Sequence, residues 1–214
     1  MITEIIGVIG LGNAGGAVAG ALARKTKVVG FDPDPERCLR AGDLGVDCVS
    51  STEELAEKTD HIILSLPKPE ISIAVTKTLC DSASRPKLLI ETSTVTPQTA
   101  ITCNDLCKQN DIAYVDAAIA GGVASMAAGE ITFFLGGADE NKKLASNILN
   151  LIAAGIHDLG PVGAGMGTKV VNNGVMHALM VVLIEAFSMS NKLGVSSQTM
   201  IEILNREEGL LRPL

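Results

Sequence analysis

Lys169 and Asn173 stand four residues apart in GAGMGTKVVNN, residues 163–173, just behind a run of glycines. On a helix that spacing puts both side chains on one face. A lysine so placed can take a proton from a substrate oxygen or give one back, and an amide one turn on can hold the same oxygen. To serve as a base the lysine needs a lowered pKa, which burial can supply. The same spacing also suits a surface lysine on a solvated helix face, so these two residues alone leave the choice open.

A second group lies near the start, in Gly10-Leu11-Gly12-Asn13-Ala14-Gly15. The first glycine permits a tight turn, the second lets backbone approach a pyrophosphate, and the third lets a helix pack against the preceding strand. The helix that follows would offer its free N–H groups to phosphate. Asp32 comes at the end of the next apolar run, at the distance expected of a carboxylate binding a ribose 2′-OH. A carboxylate there repels a 2′-phosphate, and Pro33, Asp34 and Pro35 supply no arginine, so NAD is favoured over NADP. The other reading is a glycine-rich turn of a different α/β protein, with Asp32 as a loop residue. A third stretch, DAAIAGGVASMAAG (116–129), carries Gly121 and Gly122 after a strand-like run. Their backbone could meet an anion such as a carboxylate, or the pair could be a plain loop needing positive φ.

The elements that must position these groups alternate for three-quarters of the chain. Apolar strand-like runs fall at 5–10, 27–31, 61–66, 87–91, 113–116 and 131–137, with helical material at 34–42, 97–110 and 140–154. Ser51 and Glu54 have capping-box spacing. Continuous apolar strands alternating with helices imply an α/β fold of the Rossmann type, doubly wound on a mainly parallel sheet. After Gly160-Pro161 no strand signal remains. A long helix is expected over 165–193 and another over 196–205. The expected organisation is a dinucleotide-binding domain over 1–162 and a helical portion over 163–214.

Composition narrows the function. Hydrophobic residues make up 47% and aromatics only 2%, so the core must be aliphatic. A net charge of −7 without a basic stripe argues against nucleic acid and anionic membrane surfaces as partners. Five cysteines at irregular spacing do not suggest a disulfide framework, and a reducing cytoplasm is the expected home. Cys103 and Cys107 are helix neighbours without a His or further Cys at ligand spacing, so no metal site is expected. The N-terminal apolar run has Glu4 where a signal peptide would be basic. The apolar run at 176–187 contains His177 and Glu185 and reads as a buried helix, with His177 a core histidine, rather than as a membrane span.

Taken in order, GLGNAG, SLP (65–67), TSTVTP (92–97), D-x-x-x-x-GG and G-x-G-x-x-x-K-x-x-N-N resemble the β-hydroxyacid dehydrogenase family over residues 1 to about 204. The resemblance implies a Rossmann domain, a long interdomain helix and an all-α C-terminal domain. It implies reversible NAD(P)-dependent exchange of a hydride with a short 3-hydroxy acid or semialdehyde. Position by position, Lys169 matches the catalytic lysine and Asn173 the substrate-binding asparagine. Gly121 and Gly122 match backbone that holds the substrate carboxylate, and Leu66, Pro67 and Thr94 match cofactor-contacting loops.

The sequence also departs from the family. Ala120 stands where a serine is usual before the glycine pair, and Ala14 where a methionine is usual in the cofactor loop. Family members continue through further helices, and 205–214 does not resemble that continuation. A truncated helical domain is therefore expected, with an apolar helix face left for a partner subunit, as in a homo-oligomer, to cover. The alternative to an enzyme is an inactive NAD-binding remnant or interaction module.

Overall fold

The computed structural model describes residues 5–206. Glu4 and the stretch 207–214, on which expectations about the chain's ends rest, lie outside the described residues. The chain divides into two compact units, Met1–Val170 and Val171–Leu214. The expected boundary was the loop at 162/163, and the division falls instead inside the long helix.

The first unit is built on an eight-stranded sheet: β1 (Ile6–Ile9), β2 (Val28–Phe31), β3 (Asp47–Cys48), β4 (His61–Leu64), β5 (Leu88–Glu91), β6 (Ala113–Ala120), β7 (Ile131–Gly137) and β8 (Ala153–Asp158). Their order across the sheet is β3-β2-β1-β4-β5-β6-β7-β8. Every pairing is parallel except β6 with β7. The chain winds outward from β1 in one direction through β2, then crosses to β4 on its other side, so a topological switch lies between β1 and β4.

The connecting helices are α1 (Asn13–Ala23), α2 (Pro35–Gly42), α3 (Thr52–Lys58), α4 (Pro69–Asp81), α5 (Pro97–Lys108), α6 (Val123–Ala128) and α7 (Asp139–Leu149). Their starts obey local chemistry. Asp34 caps α2 by accepting from the Glu36 N–H, with Pro35 at the first helical position. Thr96 caps α5 through the Thr99 N–H, ahead of Pro97. At α3, Ser51 accepts from the Glu54 N–H while the Glu54 carboxylate reaches back to Ser50.

Strand side chains are buried on both faces of the sheet, which divides the interior into two cores. Ile6, Val8, Ile90, Val115 and Phe133 pack with α1 and α7 on one side. Ile9, Leu64 and Leu89 pack on the other with Leu55 of α3, Leu79 of α4 and Cys103 and Cys107 of α5. Tyr114 joins this second core at 1% exposure.

Three expectations are corrected. The helix expected over 140–154 ends at Leu149, and β8 follows. The run AAGIHD is too poor in β-branched residues to announce a strand, and it forms because β7 offers a parallel edge. β6 runs to Ala120 rather than ending near 116, held there by pairing with Thr132. The apolar run 176–187 is not buried. It belongs to α8 (Ala164–Lys192), whose Val171, Val175, Met176, Met180, Val181 and Ile184 are exposed, as is His177. Each large aliphatic side chain left in water forgoes about 1.5–3 kcal/mol of burial. By length and composition α8 is the one described helix able to cross a membrane.

The second unit contains the remainder of α8 and α9 (Ser197–Leu204). Gly194, at φ +80°, ends α8 in the left-handed conformation that glycine tolerates, and Ser196 caps α9 through the Thr199 N–H.

Candidate active site

The parallel strands end in one register row. Phe31, Ile9, Leu64, Glu91 and Asp116 are aligned neighbours across the sheet. The segments that follow them therefore emerge along the same carboxyl edge, where open α/β sheets bind ligands at the switch point.

After β1 comes the glycine turn. Gly10 has φ +91°, and a Cβ there would sit 2.2 Å from the Ser65 carbonyl oxygen. At Gly15 a Cβ would meet the Gly10 carbonyl oxygen at 1.9 Å, so only glycine lets α1 pack this close. Gly12 differs: its nearest neighbour would be an Arg37 guanidinium nitrogen at 3.7 Å, so its missing side chain opens space. Gly12 also stands at the N-cap of α1, which has no side-chain cap and no acidic residue in its first turn. That is a turn and helix start suited to a pyrophosphate.

A cavity of about 430 Å³ opens here, lined by Gly10, Gly12, Asn13, Ala14 and Gly15, by Phe31 and Asp32 after β2, and by Ser65, Leu66 and Pro67 after β4. Leu11 lies outside it, its side chain buried and facing an adjoining cavity with Arg37 and Arg40. Thr94 does not line the cavity either. It is exposed in the loop after β5, but that loop is tied to the cavity wall. The Leu66 N–H donates to Ser93 Oγ at 2.6 Å, and the Ser93 N–H donates to Glu91 Oε1 at 2.9 Å. Burial pushes the fully enclosed Glu91 carboxyl above the ordinary range.

Asp32 is 5% exposed, and its carboxylate is well used. One oxygen accepts from the Leu11 N–H at 2.8 Å and from Arg37 at 3.4 Å; the other accepts from the Asp34 N–H at 2.9 Å. It braces the glycine turn from below while facing the cavity. Arg37 stands beyond Pro33, Asp34 and Pro35, the three residues that follow Asp32 directly. One turn of α2 brings it back.

At the far end of the row, Asp116 is fully buried in β6 and accepts from the Gly163 N–H at 2.8 Å and the Met166 N–H at 2.9 Å. These amides open α8. Burial raises the carboxyl's pKa, and the backbone donors oppose that rise. Gly165 seats the helix: a Cβ there would lie 2.3 Å from the Phe134 carbonyl oxygen. Lys169 follows one turn later. It is partly buried, and burial lowers its pKa from the ordinary lysine value. The start of the lysine's helix is thus fixed to the sheet at the same row as the cavity's strands. An acid inside the apolar run AYVDAAIA was the available signal for Asp116.

Gly121 and Gly122 form the exposed turn from β6 into α6, with Gly121 at φ +139°. Asn173 lies on α8 in the second unit, one helical turn beyond Lys169. Among the described residues no group of three or more His, Cys, Asp or Glu could hold a metal, and all five cysteines are free.

The family described as the NAD binding domain of 6-phosphogluconate dehydrogenase matches residues 5–167. A probable 3-hydroxyisobutyrate dehydrogenase of Mycobacterium tuberculosis is 31% identical over 205 residues, covering 95% of this chain and 70% of that protein. The human mitochondrial 3-hydroxyisobutyrate dehydrogenase is 29% identical over 208 residues, covering 95% of this chain and 62% of the relative. The solved structure of the Mycobacterium tuberculosis 3-hydroxyisobutyrate dehydrogenase with L-serine superposes with a TM-score of 0.88 at 30% identity, over 97% of this chain and 72% of that one.

Proposed function

This chain belongs to the β-hydroxyacid dehydrogenase family, that of 3-hydroxyisobutyrate dehydrogenase, and we propose that it exchanges a hydride between NAD and a short 3-hydroxy acid or its semialdehyde. The observation that carries the reading is the cavity at the β1–β4 switch point, where Gly12 leaves open the space a pyrophosphate needs. NAD, when bound, supplies the hydride acceptor.

The chain's own residues supply the rest. Gly10, Gly12 and Gly15 shape the turn, Asp32 braces it, and Leu66 and Pro67 wall the cleft. Lys169 moves the hydroxyl proton. Its lowered pKa supports this role, because more of the lysine is neutral and able to accept a proton. Asn173, on the lysine's helix face, is assigned the hydrogen bond to the same oxygen. The backbone of Gly121 and Gly122 is assigned the substrate carboxylate. L-serine, seen with the mycobacterial relative, is itself a 3-hydroxy acid, which supports a small substrate of this class. Ala120 removes a hydroxyl beside the glycine pair and favours a weaker hold on the carboxylate. Five free cysteines suit a cytoplasmic home.

The test is NADH oxidation by the purified chain against tartronate, methylmalonate and succinate semialdehydes, with Lys169→Ala alongside. Turnover that Lys169→Ala abolishes while NADH binding persists supports the enzyme. The exposed apolar face of α8 favours a second reading, a cofactor-binding module without turnover. NADH binding with a flat trace for every semialdehyde would establish that reading and end the first.

A further inference from the structure

We propose that Glu91 is a positioning residue for the cofactor: through Ser93, and from behind α4, it fixes the cavity wall that Leu66 and Pro67 form. The proposal rests on the reading of that cavity as the dinucleotide site.

Glu91 ends β5 fully enclosed, where an apolar residue would simply continue the run LLIE. An enclosed carboxyl costs stability unless its own bonds offset the lost water. Oε1 accepts from the Ser93 N–H at 2.9 Å. Oε2 has no hydrogen-bond partner among the described residues, and neither have the hydroxyls of Ser72, Thr76 and Tyr114. These groups lie on one side of the sheet. Tyr114 is the register partner of Leu89, and Glu91, two residues along the strand from Leu89, points to the same face. Ser72 and Thr76 stand one turn apart on the buried side of α4, which covers that face. So poorly bonded a carboxyl is not accounted for by stability.

Its place accounts for it. Ile71 and Val75, the chain neighbours of Ser72 and Thr76, line the cavity, so Glu91 sits behind the helix that walls it. Burial raises the Glu91 pKa, and the hydroxyls of Ser93 and Ser72 oppose the rise. On the other side of the wall, Thr92 holds the Leu64 carbonyl through its N–H at 2.9 Å and its hydroxyl at 2.7 Å, and the Ser65 N–H turns to Ile9 of β1. Leu66 lies past the end of this ladder. Its N–H is held by Ser93 Oγ at 2.6 Å, and Glu91 holds Ser93 where it can accept. One carboxyl thus sets the loop that ties Leu66 and backs the helix that Pro67 leads into.

The experiment is calorimetric NADH binding to wild type, Glu91→Ala, Glu91→Gln, Ser93→Ala and Cys107→Ala, each well below its melting temperature. Glu91→Ala and Ser93→Ala should weaken NADH about fivefold or more. Glutamine keeps an oxygen for the Ser93 N–H and should restore most of the affinity. Cys107, fully buried on α5 in the same core, should on truncation lower the melting temperature without lowering affinity. Hydrogen exchange at the Leu66 amide should quicken in Glu91→Ala and not in Glu91→Gln. A folded Glu91→Ala protein that binds NADH as wild type does overturns the proposal, as does an equal loss in Cys107→Ala. If Glu91→Ala does not fold, Ser93→Ala decides, and wild-type affinity there overturns the proposal too. A wild-type chain that does not bind NADH would instead remove the dinucleotide reading itself, a failure distinct from the others.

Discussion

Replacing Asp116 with alanine should unfasten the start of α8. The wild-type carboxylate is wholly enclosed and accepts from two buried amides, those of Gly163 and Met166, at 2.8 and 2.9 Å. Each amide left without an acceptor costs about 1–3 kcal/mol, or roughly 2–6 kcal/mol for the pair. Against this, the variant no longer keeps a carboxylate out of water, which returns part of the loss. A net destabilisation of about 3 kcal/mol follows. For a chain of this size that lowers Tm by roughly 6–12 °C. Asp116→Asn retains one acceptor oxygen and should lose about half as much. Urea unfolding followed by circular dichroism measures the stability, and hydrogen exchange at Gly163 and Met166 locates it. Those two amides should exchange faster in the alanine variant. If Asp116→Ala lost less than about 1 kcal/mol and left both amides as protected as before, Asp116 would not be the anchor of this helix.

Other outcomes follow from the site. Lys169→Ala should reduce kcat/KM by about 10²–10⁴-fold with NADH affinity retained. Oxidation of the hydroxy acid by wild type should rise with pH through the Lys169 pKa, because the base must be neutral. Reduction should fall across the same range, and a limb at or above 10.5 would remove the argument from burial. Gly12→Ala should fold normally and weaken NADH by ~10-fold or more, since its Cβ would fill cavity space; Gly15→Ala should impair folding itself, which comparing melting curves with NADH titrations would separate. For Glu91, burial lifts the folded pKa above the ordinary 4.5. Above that pH the folded state then binds more protons than the unfolded, so stability should fall as pH rises through the window and then level off. Glu91→Gln should flatten this segment of a urea-midpoint series; an unchanged slope would mean that Glu91 is not its source.

The sequence announced the site's grammar better than its wiring. GLGNAG between an apolar run and a helix, with Asp32 after the next run, is a local pattern, and local backbone demands produce it. Strands such as HIIL and LLIE declare themselves because burial on both faces requires unbroken apolar character. β8 did not, because AAGIHD becomes a strand through pairing with a partner some twenty residues upstream. The bonds of Asp116 to Gly163 and Met166, and of Ser93 to Leu66, join segments distant in sequence. A linear reading has no period or spacing in which to see them. Arg37 fell between the two cases: close along the chain, but returned to Asp32 by a helical turn rather than by adjacency. For α8 the apolar character was legible but its exposure was not, because composition does not say what covers a helix.

Tyr114, enclosed at the middle of the sheet, is the chain's only tyrosine, and there is no tryptophan. The protein's ultraviolet emission therefore arises from essentially one place, two residues from Asp116 on the same strand. No indole is present to absorb its energy, so the signal reports this one position in the second core. The reduced nicotinamide of NADH absorbs at longer wavelength than a phenol ring, so it can be excited without exciting Tyr114. The aromatic-poor core thus makes the wild-type chain its own single-site optical probe, with fold and cofactor readable in separate spectral windows and no label added.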